Sequence, residues 1–285
     1  MFSILRFVRH FAFILLILLL REVGVAFVPR PVAARTDIVY GQVDERRQSM
    51  DIYYPRKAEK IKEPVGAFLV IHGGSWIAGS KEEYRMFAVP LAKEGWVAAT
   101  TNYRFRPRAD DEGVITREGF TVADMMEDIG LAIAKLKETA AADGVEISSI
   151  ALLGDSAGGH LALLYAYSYQ NMPGNAPAIP ISFVVARVAP TDVVFTNPAD
   201  TSMDASVLNA VHAGAPPTVF CYQKNDELVD FSRHAVPMRE KLIEHGVPYE
   251  WIEFEYGGHA MLDVRELPNH KIGYDAIFAY ADRYF

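Results

Sequence analysis

The chain has 285 residues, of which 51% are hydrophobic and 22% charged, which suits one well-packed domain and excludes a mainly disordered chain. Its formal net charge is −8, and no lysine- or arginine-rich stretch follows residue 35, so nucleic-acid binding is not expected, because an acidic surface repels phosphate backbones. The single cysteine, Cys221, excludes an intramolecular disulfide and a cysteine metal cluster, and we expect it to be buried on a strand.

The N-terminal segment has the pattern of an export signal. Arg6 and Arg9 precede the unbroken apolar run Phe11–Leu20. Ala34 is a small residue after which cleavage could occur, and Gly24/Ala26 is a second possible position. A basic start followed by about ten apolar residues is typical of a secretory signal. We therefore expect residues 1–34 to be a signal peptide or membrane anchor, and the protein to be exported, either into a periplasm or out of the cell.

An uncleaved membrane anchor is the alternative to a cleaved signal. The apolar run alone is too short to cross the hydrocarbon core, but residues 4–28 could cross it as one helix if Arg21 and Glu22 were tolerated there. The protein would then associate with the membrane through residues 1–28. In either case residues 35–285 are expected to form the folded domain.

Eight short apolar runs follow, and each is predicted as a strand. In chain order they are Thr36–Tyr40, Met50–Tyr54, Ala67–Ile71, Val97–Asn102, Ser149–Leu153, Ile181–Ala186, Thr218–Tyr222 and Tyr249–Glu255. The first two flank the polar turn Asp44–Ser49, which suggests an antiparallel opening pair. The middle runs are continuously apolar, which is typical of strands that are buried on both faces of a parallel sheet.

Helical segments fill the gaps between these strands. Apolar residues recur at three- and four-residue spacing in Glu82–Glu94, Val122–Ala142, Ala157–Gln170, Ser232–His245 and Lys271–Tyr284. The alternation predicts an α/β fold, with a mostly parallel, doubly wound sheet of eight strands and helices on both faces. The polar stretches Arg106–Glu118 and Thr191–Gly214 are predicted loops and would form the walls that face a substrate.

A glycine-rich turn, HGGSW at residues 72–76, directly follows the third predicted strand. Glycines let backbone N–H groups point into a cavity without obstruction by side chains, as an oxyanion hole requires. We expect the N–H groups of Gly73 and Gly74 to donate there, together with that of Ala157. A flexible turn between strand and helix is the alternative interpretation.

The sequence GDSAGG at residues 154–159 lies between a predicted strand and a predicted helix. G-x-S-x-G in this position is a nucleophile elbow, a strained turn that holds a serine hydroxyl clear of the backbone. The N-terminus of the following helix favours negative charge that develops beside it. We therefore predict that Ser156 is a catalytic nucleophile, and a purely structural turn is the alternative.

A serine nucleophile needs a base, and the base needs a carboxylate that orients it. Asp226 follows the strand Thr218–Tyr222, and His259 follows the strand Tyr249–Glu255. Both lie at the carboxyl end of a strand, where open α/β sheets bind ligands. Asp226 and His259 are therefore the predicted acid and base, in the order nucleophile, acid, histidine. Asp230 and, less directly, Asp192 are the alternative acids.

The other candidates are expected to have structural roles. Asp155 should face away from the site, His160 should pack or hydrogen-bond within its helix, and His72 should brace the glycine turn. Four histidines outside glycine-rich strand ends are expected in solvent, namely His212, His234, His245 and His270. No histidine is spaced with carboxylates as in a metal site, so no bound metal is expected.

These motifs resemble those of a known family. The matching positions are His72-Gly73-Gly74, Asn102-Tyr103-Arg104, Asp128, Gly154-Asp155-Ser156-Ala157-Gly158-Gly159, Asp226 and Gly258-His259. They resemble the α/β-hydrolase fold and, more narrowly, esterases of the hormone-sensitive-lipase type and their bacterial feruloyl- and acetyl-esterase-like relatives. The resemblance extends from about Asp37 to the C-terminus. It implies carboxylesterase activity through an acyl-enzyme, without a cofactor.

The chain also departs from that pattern. Thr191–Gly214 is short for a cap, and the charged stretch Pro107–Glu118 replaces a segment that is proline-rich in the family. We therefore expect a minimal cap and an open site for a small-molecule or saccharide-borne ester with a short acyl, acetyl or aryl group. An amidase, formamidase or peptidase with the same triad is an alternative, and a non-catalytic binding module is another. The acyl length, the leaving group and the oligomeric state stay open at this point.

Overall fold

An eight-stranded mixed sheet runs through the computed structural model, which describes residues 32–43, 47–56, 58–109, 115–195, 203–255, 257–259 and 268–285. In chain order the strands are β1 (Ala33–Val39), β2 (Ser49–Tyr54), β3 (Val65–Ile71), β4 (Val97–Thr101), β5 (Arg108–Ala109), β6 (Ile115–Arg117), β7 (Ile147–Asp155), β8 (Ile181–Arg187), β9 (Thr218–Gln223) and β10 (Tyr249–Phe254). Strands β5 and β6 form a separate hairpin, and the other eight lie in the order β1-β2-β4-β3-β7-β8-β9-β10.

The sheet is antiparallel at one edge and parallel elsewhere. β1 pairs antiparallel with β2, and β2 pairs antiparallel with β4. From β4 through β3, β7, β8 and β9 to β10, every neighbouring pair is parallel. All eight predicted strands are thereby confirmed, with ends shifted by a few residues. The predicted fold class is also confirmed.

In the described parts of the chain, five α-helices cover the sheet. They are α1 (Arg85–Glu94), α2 (Val122–Ala142), α3 (Ala157–Tyr167), α4 (Phe231–His245) and α5 (Pro268–Tyr284). Short 3-10 helices occupy Ala58–Lys60, Tyr169–Asn171 and Val207–Asn209. Helix α2 begins where the sequence predicts because Thr121 and Asp124 form a capping box, in which each side chain bonds the backbone N–H of the other.

The helices lie on both faces of the sheet because strand side chains alternate between the faces. Leu69 and Ile71 of β3 belong to a buried cluster with residues of α2, α3 and α4. Phe68 and Val70 belong to a second cluster with residues of α1 and α5. Two apolar layers therefore enclose the parallel strands and fix where their carboxyl ends lie. Cys221 is buried in β9, as expected.

The structure differs from the sequence-based prediction in local details, of which two concern the type of element. The predicted loop Arg106–Glu118 contains the β5–β6 hairpin, which is too short for an apolar periodicity to reveal. The predicted helix Ala157–Gln170 ends at Tyr167, and the chain continues in a 3-10 turn.

The predicted signal or anchor in residues 1–34 falls mostly outside the described residues, which begin at Val32. Val32–Phe285 form one compact unit. Ala33 and Ala34 pair with Tyr54 and Tyr53 at the edge of the sheet, so cleavage after Ala34 would remove the first two residues of β1. Among the described residues, no helix has both the length and the apolar character needed to cross a membrane.

Candidate active site

Ser156 lies on a sharp turn between β7 and α3. Its φ angle of 51° is in the left-handed region, which is strained for a residue with a side chain. The turn needs glycine beside it, because a Cβ at Gly158 would collide with the backbone carbonyls of Ile71 and His72. The hydroxyl is therefore held clear of β7 at the edge of the sheet where the parallel strands end.

Three side chains that are far apart in the sequence form one hydrogen-bonded chain. Ser156 Oγ lies 2.9 Å from His259 Nε2. His259 Nδ1 lies 2.8 Å and 3.0 Å from the two carboxylate oxygens of Asp226. A carboxylate only accepts, so Nδ1 carries the proton, and Nε2 is free to accept the serine proton. The structure brings the predicted nucleophile, base and acid together in the geometry of a catalytic triad.

Local backbone bonds fix the acid and the base. Asp226 Oδ1 accepts the N–H groups of Leu228 and Val229, both at 2.9 Å, which orients the carboxylate towards His259. The Asp226 residue is only 8% exposed, so this charge is buried and needs those donors. His259 follows Gly257 and Gly258, whose φ angles of 138° and 61° suit glycine and turn the chain back towards Ser156.

The two alternative acids have other partners. Asp230 is the N-cap of α4, where its side chain accepts the N–H of Arg233 at 2.8 Å. Asp192 pairs with the guanidinium of Arg233 at 3.0 Å. In the described part of the chain, neither one bonds to His259, which leaves Asp226 as the orienting carboxylate.

The prediction that the N–H of Gly73 is an oxyanion donor needs correction. Its N–H donates to the hydroxyl of Tyr84 at 2.9 Å, in a buried environment. The sequence indicated correctly that glycine is required here, but for another reason. A Cβ at Gly73 would come within 3.4 Å of the Ser156 Cβ and within 3.1 Å of the Tyr84 hydroxyl. Gly73 therefore permits close approach of the loop to the elbow and is not a free donor.

The loop after Gly73 supplies free N–H groups at the next two positions. Gly74, Ser75 and Trp76 have φ angles of 112°, 52° and 61°, and two of these strained residues are not glycine. Within the described residues, the N–H groups of Gly74, Ser75 and Ala157 have no acceptor. Successive N–H groups in such a conformation form an anion-binding concavity. Ser75 is therefore a candidate oxyanion donor that the sequence did not indicate, because a serine gives no signal for a free backbone N–H.

A buried relay supports the loop from behind. The indole Nε1–H of Trp76 donates to His160 Nδ1 at 3.2 Å, and His160 Nε2 donates to the carbonyl of Ala205 at 2.7 Å. Burial lowers the pKa of His160 to about 4, so the ring is neutral and its tautomer is set by these two bonds. The expected structural role of His160 is thus a link between the oxyanion loop and the segment near Ala205.

Asp155 lies beneath the elbow and is fully buried. Its carboxylate is 3.5 Å from the guanidinium of Arg187, with which it forms a buried ion pair. Burial raises the pKa of Asp155, and the charge of Arg187 opposes that shift. No hydrogen bond joins the Asp155 carboxylate to Ser156 or His259, which agrees with the expectation that Asp155 faces away.

His72 packs under the glycine turn. Its Nδ1 bonds to the carbonyl of Gly73 at 2.6 Å, and its ring stacks on Tyr103 at a centroid distance of 4.3 Å. Burial lowers the pKa of His72 to about 4. The neutral, packed ring of His72 therefore supports the glycine turn, as expected. Among the described residues, no group of three histidine, cysteine or carboxylate side chains could hold a metal ion.

A cavity of about 310 Å³ opens beside Ser156 and His259. Its apolar walls are Trp76, Pro190, Val193, Val194, Leu228 and Val229. Val194 and Leu228 are 74% and 71% exposed, so part of this apolar wall is also accessible to solvent. Small-molecule sites commonly combine such walls with a few polar groups that orient the ligand.

His234 also lines this cavity, and the expectation that it lies in solvent is wrong. The residue is only 7% exposed, and its Nδ1 accepts the N–H groups of Thr191 and Asp192, each at 3.1 Å. No sequence pattern indicates this, because the partners of His234 are backbone N–H groups that lie more than 40 residues away. His212 and His245 are half-buried, and the side chain of His270 lies outside the described residues.

Comparison with known proteins connects this geometry to hydrolases. The model of the BD-FAE family matches residues 50–229. The chain is 34% identical over 125 residues, 44% of its own length and 26% of the relative's, to a probable isoprenylcysteine alpha-carbonyl methylesterase of Oryza sativa subsp. japonica. It is 25% identical over 152 residues, 53% of its length and 45% of the relative's, to a kynurenine formamidase of Danio rerio. The chain thus spans less than half the length of these two curated relatives.

Solved structures show the same fold. Esterase B from Lactobacillus rhamnosis (HN001) superposes with a TM-score of 0.70 at 19% identity. The superposition covers 89% of this chain and 86% of that chain. At this identity the likeness establishes the shared α/β architecture, and the chemistry has to be argued from the residues at the site.

Proposed function

Since the chain belongs to the BD-FAE family and has the α/β-hydrolase fold, we propose that it is a serine hydrolase that cleaves carboxylic esters. The observation that carries the proposal is the hydrogen-bonded chain Ser156–His259–Asp226 beside a cavity that has both apolar and polar walls. A nucleophile within hydrogen-bond reach of a base, with that base oriented by a buried acid, is what acyl transfer by serine requires.

The first half-reaction forms an acyl-enzyme. His259 Nε2 takes the hydroxyl proton as Ser156 Oγ attacks the ester carbonyl, and Asp226 stabilises the imidazolium that results. The carbonyl oxygen becomes negatively charged and is bound by the N–H groups of Gly74, Ser75 and Ala157. His259 then donates its proton to the departing alcohol. Loss of one oxyanion donor typically lowers turnover by about 10²- to 10³-fold.

The second half-reaction releases the acid. A water molecule occupies the place of the alcohol and gives a proton to His259 as it attacks the acyl carbonyl. The tetrahedral intermediate uses the same three N–H groups, and its collapse returns the proton to Ser156. His259 accepts and returns every proton in the two half-reactions, and the backbone N–H groups bind the negative charge, so no further group is needed.

Hydrolysis of an amide or formamide is the second candidate. Ester and amide cleavage pass through the same kind of tetrahedral intermediate, so the triad serves both. The similarity to a kynurenine formamidase is the observation that favours testing it. A non-catalytic binding role is the third candidate, and the intact triad argues against it.

Paired assays separate these candidates. Purified protein should hydrolyse p-nitrophenyl acetate and butyrate, and Ser156→Ala should abolish that hydrolysis while it leaves the circular dichroism spectrum unchanged. An aryl formamide assayed at the same enzyme concentration gives the ester-to-amide preference. Retained ester hydrolysis in Ser156→Ala would refute the assignment of Ser156 as the nucleophile. Faster cleavage of the formamide than of the esters would favour an amidase over an esterase.

We also propose that the protein is exported by its N-terminal segment and acts on small-molecule or saccharide-borne esters. The basic start and the apolar run Phe11–Leu20 support export. N-terminal sequencing of protein from the native host tests this. A mature chain that starts within a few residues of Arg35 supports a cleaved signal, whereas an intact N-terminus in the membrane fraction supports the anchor.

A further inference from the structure

His234 is a buried polar residue of the substrate pocket that has no part in the proposed proton transfers. It lies on α4, lines the cavity beside Ser156 and is 7% exposed. Buried polar atoms in folded proteins are nearly always hydrogen-bonded. The hydrogen bonds of its two ring nitrogens therefore decide whether this residue can donate to a ligand or accept from it.

The backbone of the loop after β8 fixes one of those nitrogens. The N–H groups of Thr191 and Asp192 both point to His234 Nδ1 at 3.1 Å. The Thr191 hydroxyl also donates to the backbone carbonyl of His234 at 2.6 Å, so the loop holds the backbone of α4 at this residue as well as the ring. Backbone amides only donate, hence Nδ1 is an acceptor and the proton of the neutral ring is on Nε2.

The second nitrogen faces the pocket. Within the described residues His234 Nε2 has no hydrogen-bond partner, and it is not among the polar atoms that are sealed from solvent. Because the side chain is otherwise buried and lines the cavity, the accessible Nε2–H opens into it. A donor held at one position by two backbone bonds is preorganised for a ligand oxygen.

The charged side chains around His234 already have partners and do not take its place as a hydrogen-bond donor to a ligand in the cavity. The Arg233 guanidinium is paired with Asp192, Asp230 caps α4, and Asp226 holds His259. Burial, and secondarily the charge of Arg233, lowers the pKa of His234 and keeps the ring neutral. Outside the triad, the other polar residues that line the cavity are Ser75, Asp192 and Arg233, and the last two are paired with each other. The rest of the wall is apolar and cannot distinguish an oxygen from a methylene.

We infer that His234 determines specificity: its Nε2–H selects esters with a second acceptor oxygen, an ether, hydroxyl or carbonyl oxygen, in the group that fills this pocket. The inference rests on the proposed ester hydrolysis. A purely alkyl group would leave the Nε2–H without water and without a partner. Sites with a buried donor discriminate against such analogues for this reason.

Two pairs of esters of matched shape test the inference. On the acyl side p-nitrophenyl methoxyacetate is compared with p-nitrophenyl butyrate, and on the alcohol side 2-methoxyethyl acetate is compared with butyl acetate. Within each pair a single methylene is replaced by an oxygen. The measured quantity is the ratio of kcat/KM for the oxygenated ester to that for the alkyl ester, because intrinsic reactivity cancels when variants are compared.

The key variant is His234→Asn. Its amide oxygen can accept the N–H groups of Thr191 and Asp192, but it has no donor at the position of Nε2. We expect the ratio to fall about 3- to 10-fold in one of the two pairs, which is the range for one neutral hydrogen bond. The pair that responds shows whether the oxygen belongs to the acyl group or to the alcohol.

Three further variants complete the test. His234→Gln places a donor near the position of Nε2 and should retain the ratio. His234→Met, which has no donor, should lower it and serves if the asparagine variant does not fold. His245→Asn, on the same helix but outside the pocket, should leave the ratio unchanged. An unchanged ratio in His234→Asn, an equal loss on both esters of each pair, or a glutamine variant that fails to retain the ratio would overturn the inference. Absence of hydrolysis of all four esters by the unaltered protein would instead refute the proposed function.

Discussion

Replacing Asp226 by asparagine should stop turnover without disturbing the fold. Asp226 Oδ1 accepts two backbone N–H groups at 2.9 Å, and the carboxylate also accepts His259 Nδ1–H, at 2.8 Å through Oδ2. Because backbone amides only donate, asparagine has to keep its oxygen at the Oδ1 position and turn its NH₂ towards His259. Two N–H donors cannot face each other, so the imidazole proton moves from Nδ1 to Nε2.

The altered tautomer removes the base. With the proton on Nε2, His259 donates to Ser156 Oγ across the 2.9 Å contact and cannot accept the serine proton. The same change in other Ser-His-Asp enzymes lowers kcat by about 10⁴-fold, and we expect a similar loss here. At about 1.4 kcal/mol for each factor of ten, this is a barrier increase of roughly 5 kcal/mol.

The assay is the initial rate of p-nitrophenyl butyrate hydrolysis at neutral pH, with the circular dichroism spectrum as a check on folding. Asp230→Asn is the matched control, since asparagine caps a helix about as well as aspartate and should leave the rate unchanged. A folded Asp226→Asn protein with a rate close to that of the unaltered protein would refute this account of His259. Loss of activity in Asp230→Asn, with activity retained in Asp226→Asn, would show that Asp230 and not Asp226 is the catalytic acid.

Three further changes test the surroundings of the triad. Tyr84→Phe leaves the buried Gly73 N–H without an acceptor and should lower the free energy of unfolding by about 1–3 kcal/mol, whereas unchanged urea unfolding would contradict the bond at 2.9 Å. Gly158→Ala should prevent folding or abolish activity because its Cβ meets the backbone carbonyl of Ile71. Gly214→Ala should be tolerated, because its Cβ would meet only the side chain of His212, at 3.3 Å, which can shift. His160 is neutral in the fold but protonates near pH 6.5 when unfolded, so the free energy of unfolding should fall as the pH drops from 6.5 towards 4. His160→Phe should weaken that dependence in urea unfolding at a series of pH values, and an identical dependence in both proteins would contradict it.

The architecture and the triad could be predicted because each depends on a pattern that lies along the chain. Alternating apolar runs and helical periodicities gave the parallel sheet, and parallel strands bring their carboxyl ends to one edge. Ser156, Asp226 and His259 each follow such an end, so their meeting at hydrogen-bond distance follows from the topology. The order of Ser156, Asp226 and His259 along the chain can be read directly from the sequence.

The donors around the triad could not be assigned in the same way. Glycine at position 73 suggested a free N–H, but the partner that uses this group, the Tyr84 hydroxyl, comes from the start of α1 and gives no signal in the sequence. Ser75 was missed because a free N–H depends on which backbone groups the loop leaves without an acceptor. The sequence alone predicts His234 in solvent, because it does not reveal that the ring accepts backbone N–H groups from a loop that is distant in the sequence.

The central claim is that Ser156 is the nucleophile, and covalent labelling tests it most directly. The folded protein is treated with a fluorophosphonate, and the modified residue is identified by mass spectrometry of its peptides. We predict one label for each chain, on Ser156, with parallel loss of ester hydrolysis, and no label in Ser156→Ala or in the unfolded protein. A label on another residue, or ester hydrolysis that continues in fully labelled protein, would contradict the account.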